Sequence, residues 1–365
     1  GAQAMLYKLL SRADRNAFDP EVVSLECEGP MASKIAALDV PVRSLGLRSG
    51  RIEPRRFLQF VAWLRRSRFH LLQTWMYHAD LVGGFAAKLA GRLPVVWSIR
   101  QSNLDPRHNK RPTLWIVSAC ARLSPWLPAR IICCSEAAQK AHREVGYAAD
   151  KMVVIPNGFD VDSFRPDPDA RTAIRRELDV PESAVLVGHV ARFDSQKDHQ
   201  TFIRASRLLN GSGPEVHFVM CGDNIDAKNV ALTEWIAEEG IGPRCHLLGM
   251  REDVARIHAA LDVEVCSSVG EGFSNAVGEA MACGVPCVST GVGDADTLIG
   301  DTGRVVPIRD PVALARGCEE LIAIGPAGRA RLGLAARKRI RERFSLDSVV
   351  ARYESLYREL ADVRH

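Results

Sequence analysis

The feature that most constrains this chain is its rhythm. Short apolar runs alternate with stretches of helical periodicity, and they do so in two successive series. The first series of runs falls at 21–25, 40–45, 69–74, 94–99, 130–134 and 152–156. The second falls at 184–190, 216–221, 245–248, 263–266, 286–289 and 304–306. Helical patterns fill the gaps, for example at 81–90, 198–209, 230–239 and 253–260. Short strands alternating with helices predict parallel sheets joined by crossovers. Two series predict two doubly wound α/β domains, and 365 residues is more than one core usually serves. The expected layout is a first domain over 1–166, a second over 167–345, and a helix over 346–365 crossing back to the first. Pro166, Asp167, Pro168 and Asp169 mark the junction, between Phe164 and Asp169.

Composition narrows the class. With 47% hydrophobic and 25% charged residues the chain reads as globular, and a net charge of +4 gives no reason to expect a nucleic-acid partner. Its basic residues are uneven, however: between Pro41 and His70 there are eight arginines and one acid, Glu53. Ten cysteines show no C-x-x-C pairing, and Cys133, Cys134, Cys266 and Cys287 sit in apolar runs. They read as reduced core thiols of a cytoplasmic protein. No run is long and apolar enough for a membrane-spanning helix, and no signal peptide is recognisable. Residues Gly1 to Leu10 look like a loop entering a helix. A parallel domain opens on a strand, so the expectation is a first strand ahead of Gly1.

Residues Glu271 to Glu279 hold the clearest chemical signal. Two carboxylates flank Gly272, Phe273, Ser274 and Asn275, and Gly284-Val285-Pro286 closes the segment. Ser274 or Asn275 suits a helix cap, and Gly284 the position past its end. Helical rise over eight residues is about 12 Å, roughly the reach of a nucleotide sugar. Carboxylates accept hydrogen bonds from the vicinal hydroxyls of sugar rings and riboses. Read alone, the segment is more readily an ordinary strand–loop–helix unit with solvated glutamates, and the rest of the chain reverses that balance.

Parallel sheets bind ligands at the carboxyl ends of their strands, beside helix N-termini. Arg192 and Lys197 stand at such a turn after 184–190, placed to balance charge growing on a diphosphate leaving group. Two solvated loop cations give the same pattern. Gly222 ends another strand, and the backbone at Met250 and Arg251 follows a glycine turn able to face a nucleobase. Plain turns explain both as well. In the first half, His78 and Arg100 follow strand ends, and Asn157 lies in a Pro-Asn-Gly turn. Asp294-Ala295-Asp296 reads as a loop turn, so no metal site is expected. The phosphate-binding and dinucleotide glycine fingerprints are absent after the strands.

Taken in order, these segments resemble the retaining glycosyltransferases of family four, which have the GT-B fold: two Rossmann-like domains facing across a cleft. The resemblance covers essentially the whole chain. It rests on Glu271–Glu279, on Arg192 with Lys197, on the run from Val154 to Asp160, and on Gly284 to Thr290 with Gly303 to Pro307. It implies that Glu271 and the amides of Gly272 to Asn275 hold the donor sugar. It implies that Glu279 takes the ribose and that Arg192 and Lys197 steady the diphosphate. No cofactor or metal is implied; the donor is a UDP- or GDP-linked sugar, and its anomeric configuration is retained. Gly1 would be the last glycine of the loop after the family's first strand. Two positions depart from the pattern: Arg100 stands where many members have histidine, and Ala191 where glycine is common.

The first domain is left for the acceptor. Residues 55–66 read as a helix with apolar cover and arginines at both ends, suited to an anionic membrane surface or to ordinary packing. The expected acceptor is a glycan or a polyprenyl-diphosphate-linked sugar in bacterial surface polysaccharide synthesis, at the inner face of the plasma membrane. The rival readings are a nucleotide-sugar epimerase or phosphorylase of the same fold, and a catalytically silent nucleotide-sugar-binding protein.

Overall fold

The structure, a computed structural model, describes residues 2–26, 29–47, 53–91, 93–211 and 213–362. The chain forms two compact units. One joins Gly1–Gly158 to Leu346–His365, and the other is Phe159–Ser345. The division falls at Gly158, ahead of the segment from Phe164 to Asp169 in which the sequence places it. That segment lies within the second unit, where Asp167 caps the helix Pro168–Glu177 by accepting from the Ala170 amide at 2.9 Å. Arg337 also donates to the Phe164 carbonyl at 2.9 Å.

The first unit has two parallel sheets among its described residues. Strands β1 (Val22–Ser24) and β2 (Val42–Ser44) pair with each other. Strands β3 (Leu72–Gln73), β4 (Val95–Ile99), β5 (Arg130–Cys133) and β6 (Met152–Val154) follow in spatial order. Side chains alternate across the larger sheet. Trp97, Ile99, Ile131 and Cys133 pack under Tyr77 and Ala87 of the helix Tyr77–Gly91 and under Val117 and Cys120 of the helix Arg111–Leu123. On the other face, Val96, Ile132 and Ile155 meet Met5 and Leu9 of the helix Ala2–Arg12, and Val349 and Tyr353 of Leu346–Asp362. Full burial of each such side chain stabilises by about 1.5–3 kcal/mol. Two polar pairs lie in this core. Thr74 donates to Asp80 at 2.5 Å, and Tyr77 meets His142 Nε2 at 2.8 Å.

The helix Pro54–Arg66 buries Phe60 and Leu64 and packs Phe57, Val61 and Trp63 beside them. Arg55, Arg56, Arg65 and Arg66 face outward.

The second unit carries β7 (Val185–Val190), β8 (Val216–Cys221), β9 (Cys245–Leu247), β10 (Val263–Cys266), β11 (Cys287–Thr290) and β12 (Arg304–Val306). Its sheet is parallel, in the order β12-β11-β10-β7-β8-β9. Val187, Phe218, Val263 and Val265 face Phe202, Ile203, Leu314 and Cys318. Leu186, Val219 and Cys266 face Ile257, Val277, Met281 and Ile340. Nine cysteines among the described residues are free thiols, and eight of them are buried. Burial pushes Cys283 and Cys318 up to about 12. Among the described residues no helix is long and apolar enough to cross a membrane.

Candidate functional site

The strand order of the second unit reverses between β7 and β10, which is where a doubly wound sheet opens a ligand crevice. The ladder between these strands pairs Val263 with Val187 and Glu264 with Gly188. Beyond that register, side chains take over. His189 Nδ1 donates to the Val265 carbonyl at 2.8 Å, and the Val190 amide donates to Glu264 Oε1 at 3.2 Å. The strands part while their backbone groups stay satisfied. Burial pushes the His189 imidazole down to about 4 and the Glu264 carboxyl up.

Two loops meet over this opening. After β7, Asp194 accepts from the Gln196 amide at 2.9 Å and opens the turn Ser195–Lys197. Asp198 then takes a left-handed φ of 48° and caps the helix His199–Leu209. After β10, Ser267 donates to the carbonyls of Lys197 and Asp198 at 2.9 and 3.0 Å. The Val269 amide donates to the Gln196 carbonyl at 2.8 Å. This backbone lacing brings Lys197 Nζ onto Glu271 Oε1, which also accepts from Ser268 Oγ at 2.8 Å. Burial alone lowers a lysine, but the Glu271 carboxylate outweighs it and holds Lys197 above its usual value. Arg192 is 61% exposed and reaches Asp194 at 3.1 Å.

The neighbouring loops close in through glycines. A Cβ at Gly222 would clash with the Ala191 carbonyl, and the Gly222 amide donates to the Gly249 carbonyl at 2.9 Å. The ends of β7, β8 and β9 are thereby tied together. Gly293, at φ 58°, lies against the Glu271 and Gly272 carbonyls in the same way.

Glu271 to Glu279 is helical only in its second half. The helix Asn275–Ala282 starts after Ser274, whose Oγ accepts from the Val277 amide at 3.5 Å. The eight-residue helical rise expected from sequence is therefore corrected: Glu271 to Ser274 is loop, and Glu279 stands one turn into the helix. The reason is local, because Lys197 and Ser268 hold Glu271 and Gly293 packs on its backbone. Gly284 does sit past the helix end, at φ 78°. Phe273 is buried, stacked at 6.1 Å on Phe159. Met250 is exposed, and Arg251 is fixed by Glu177 at 2.5 Å and Asp253 at 2.8 Å.

In the first unit, Arg100 follows β4. It donates to Tyr353 Oη at 3.1 Å and to Asn157 Oδ1, and its guanidinium lies 5.2 Å from the Trp75 ring centroid. His78 is exposed on the first turn of Tyr77–Gly91. Gly1, and any strand ahead of it, lie outside the described residues.

The structure thus brings Lys197, Glu271, Ser274 and Gly222 to one end of one sheet. Sequence reasoning missed His189, Glu264, Ser267, Ser268 and Gly293. The paired serines at the end of β10, just before Glu271, were the available signal.

Two family models match. Residues 184–323 match "Glycosyl transferases group 1" and residues 1–163 match "Glycosyltransferase Family 4". This chain belongs to glycosyltransferase family four. It is 29% identical over 198 residues to N-acetyl-alpha-D-glucosaminyl L-malate synthase of Bacillus anthracis, covering 51% of this chain and 48% of that one. It is 26% identical over 242 residues to UDP-Gal:alpha-D-GlcNAc-diphosphoundecaprenol alpha-1,3-galactosyltransferase of Escherichia coli, covering 65% and 61%. The chain therefore spans about half to three fifths of these relatives. The crystal structure of Anabaena HepE in complex with UDP superposes with a TM-score of 0.83 at 23% identity, covering 98% of this chain and 96% of that one. The fold is GT-B, with two Rossmann-like domains.

Proposed function

We propose that the protein moves a sugar from a nucleotide-diphosphate donor, UDP- or GDP-linked, to a glycan or polyprenyl-diphosphate-linked acceptor, with retention at the anomeric carbon. The observation that carries this reading is the Lys197–Glu271 pair at the β7–β10 opening, with Arg192 beside it on the same loop. In the reaction, the bond from the sugar's anomeric carbon to the diphosphate breaks. An acceptor hydroxyl oxygen bonds to that carbon, and the hydroxyl proton leaves on the diphosphate. Arg192 and Lys197 offset the charge that grows on the departing oxygens. Glu271, Gly272, Phe273, Ser274 and Asn275 take the sugar end, and Glu279 the ribose hydroxyls. Gly222, Met250 and Arg251 border the rest of the nucleotide. The two cations supply the charge for the leaving group, so the reading includes independence from metal and cofactor.

His78, Arg100 and Asn157 serve the acceptor side. The outward arginines of Pro54–Arg66 attract the protein to the anionic inner face of a plasma membrane, and the product enters a bacterial surface polysaccharide. The relatives support this acceptor class, since the Escherichia coli protein's name specifies a diphosphoundecaprenol-linked acceptor.

The test separates the two carboxylates. Glu279→Ala is expected to weaken binding of free nucleoside diphosphate in calorimetry. Glu271→Ala is expected to stop sugar transfer while the nucleotide still binds. Equal loss of nucleotide affinity in both variants rejects the assignment. Absence of donor turnover in the native chain, with nucleotide sugar bound, favours a silent binding protein.

A further inference from the structure

We propose that the helices Tyr77–Gly91 and Arg111–Leu123 present a docking face for an anionic lipid bilayer, with Trp115 and Trp126 as its inserting side chains. The proposal rests on the membrane-side reading above and gives it an apolar anchor that helix Pro54–Arg66 lacks.

Tryptophan is rarely left in water, because its ring carries one of the largest apolar surfaces of any side chain. Trp115 is 73% exposed and Trp126 67%. They are not scattered. Steps of about 100° per residue put Arg111, Trp115, Arg122 and Trp126 within about 60° of one another on a single helix face. The helical turn continues to Trp126, since the amides of Trp126 and Leu127 both donate to the Leu123 carbonyl at 3.0 Å. The two rings are then about 16 Å apart along the axis.

The neighbouring helix extends the face. Tyr77–Gly91 and Arg111–Leu123 bury Ala87, Val117, Cys120 and Ala121 in one cluster with Trp97 and Ile99, so both cover the same side of the sheet. Their outer sides therefore look the same way. Tyr77–Gly91 contributes Phe85 and Leu89, both exposed, with exposed Lys88 between them.

Charge selects the occupant. Between Leu81 and Ser135 the single carboxylate is Asp105, and Arg107 holds it at 2.6 Å. Lys88, Arg111 and Arg122 stand among the rings. A second copy of this face would bring like charges together. A bilayer with anionic headgroups matches both features: rings settle at the headgroup boundary while cations meet phosphates. The helix Pro54–Arg66 differs, because its rings pack inward and Leu58 is its one exposed large apolar side chain among the described residues.

The experiment is flotation of the whole chain with phosphatidylcholine vesicles, with and without phosphatidylglycerol, alongside donor hydrolysis in solution. Native protein is expected to float with the anionic vesicles, with a blue-shifted tryptophan emission. Trp115→Ser with Trp126→Ser should lower that partition at least about tenfold and leave donor hydrolysis intact. Lys88→Gln, Arg111→Gln and Arg122→Gln should each lower it about fivefold on anionic vesicles. Arg55→Gln with Arg65→Gln should weaken flotation without removing the blue shift. Unchanged partition in the double tryptophan variant overturns the proposal, as does tryptophan-dependent self-association in light scattering. Missing donor hydrolysis with intact flotation would instead sink the sugar-transfer reading alone.

Discussion

Both sheets carry cations at the carboxyl ends of their strands, and the two units treat them in opposite ways. In the second unit, Lys197 and Arg192 each touch a carboxylate, Glu271 and Asp194. In the first, Arg100 is held by a phenol, an amide and an indole face, all neutral. The Lys197 and Arg192 charges are balanced and pre-oriented, ready to exchange part of that balance for an anionic ligand. Arg100 keeps its full charge while its geometry is fixed by groups that do not neutralise it. On the function proposed above, the difference would suit a second unit that exchanges a diphosphate and a first unit that keeps a positive potential at its strand ends.

The largest expected difference between the units is in acid. Buried neutral histidines refuse protons that the unfolded chain accepts below about pH 6.5, so each costs stability as pH falls towards its folded value. The second unit has three lowered histidines among its described residues, two buried and one half-buried. Burial holds His189 to about 4 and His199 to about 2, and burial also lowers His246. The first has His142, pushed down to about 4 by burial. Buried Asp80 and Glu264, both raised by burial, act with the opposite sign. A raised carboxyl is charged less readily in the folded chain than in the unfolded one, and that cost fades on acidification. In the first unit one lowered histidine and one raised carboxyl oppose each other. In the second unit three lowered histidines face one raised carboxyl, so acid weakens it more. Hydrogen exchange followed by mass spectrometry between pH 6.5 and 4 should show 159–345 opening first. The reverse order would break the comparison.

Lys197→Ala comes next. It removes the cation from Glu271, which Ser268 still contacts, and on the proposed mechanism it withdraws charge from the leaving group. A rise of about 2–4 kcal/mol in the barrier is expected, read as a fall in kcat larger than the change in donor affinity. Arg192→Ala should fall at the low end, since that side chain is mostly solvated. Unchanged turnover in both variants would remove them from the mechanism. Arg100→Ala should leave donor hydrolysis near native, and an equal loss there would erase the distinction between the units.

Stability sharpens the contrast further. Arg100→Ala deletes two hydrogen bonds and a cation–ring contact, and it leaves Asn157 and Tyr353 without their guanidinium. A cost of about 1–3 kcal/mol is expected in the first unit, seen as a lower melting temperature. Arg100→Lys should recover little of it, because an ammonium cannot bridge the phenol and the amide while lying flat on Trp75. Full recovery by lysine would show that charge alone matters at this position.

What could be read from sequence follows the range of the interactions. Each of the twelve apolar runs became a strand, and 216–221, 263–266 and 304–306 coincide with β8, β10 and β12. These strands are set by local alternation and by turns that any reading can see. The run 69–74 shrank to Leu72–Gln73, because ladder pairing to β4 begins only at Leu72. The Lys197–Glu271 pair was hidden. Seventy-four positions separate the partners, and only the adjacency of β7 and β10 brings their loops together. The substitution of His189 and Glu264 for ladder bonds was equally hidden, since each looks like an ordinary strand residue. The exposure of Trp115, against the packed ring of Trp63, was hidden for a similar reason. Periodicity shows that a helix has two faces, but the order of strands decides which face is covered.

The smallest expected effect belongs to His78. It is exposed on the first turn of Tyr77–Gly91, where the helix dipole disfavours a cation. His78→Ala should therefore change stability by less than about 0.5 kcal/mol. Donor hydrolysis should be untouched if, as proposed, Arg192 and Lys197 of the second unit balance the leaving group. Transfer to a saccharide acceptor is the informative readout. A raised acceptor KM with unchanged donor hydrolysis places His78 on the acceptor side with Arg100. A fall in donor hydrolysis would mean that the first unit takes part in breaking the donor bond, and the division drawn here between a steady and a cycling set of cations would fail.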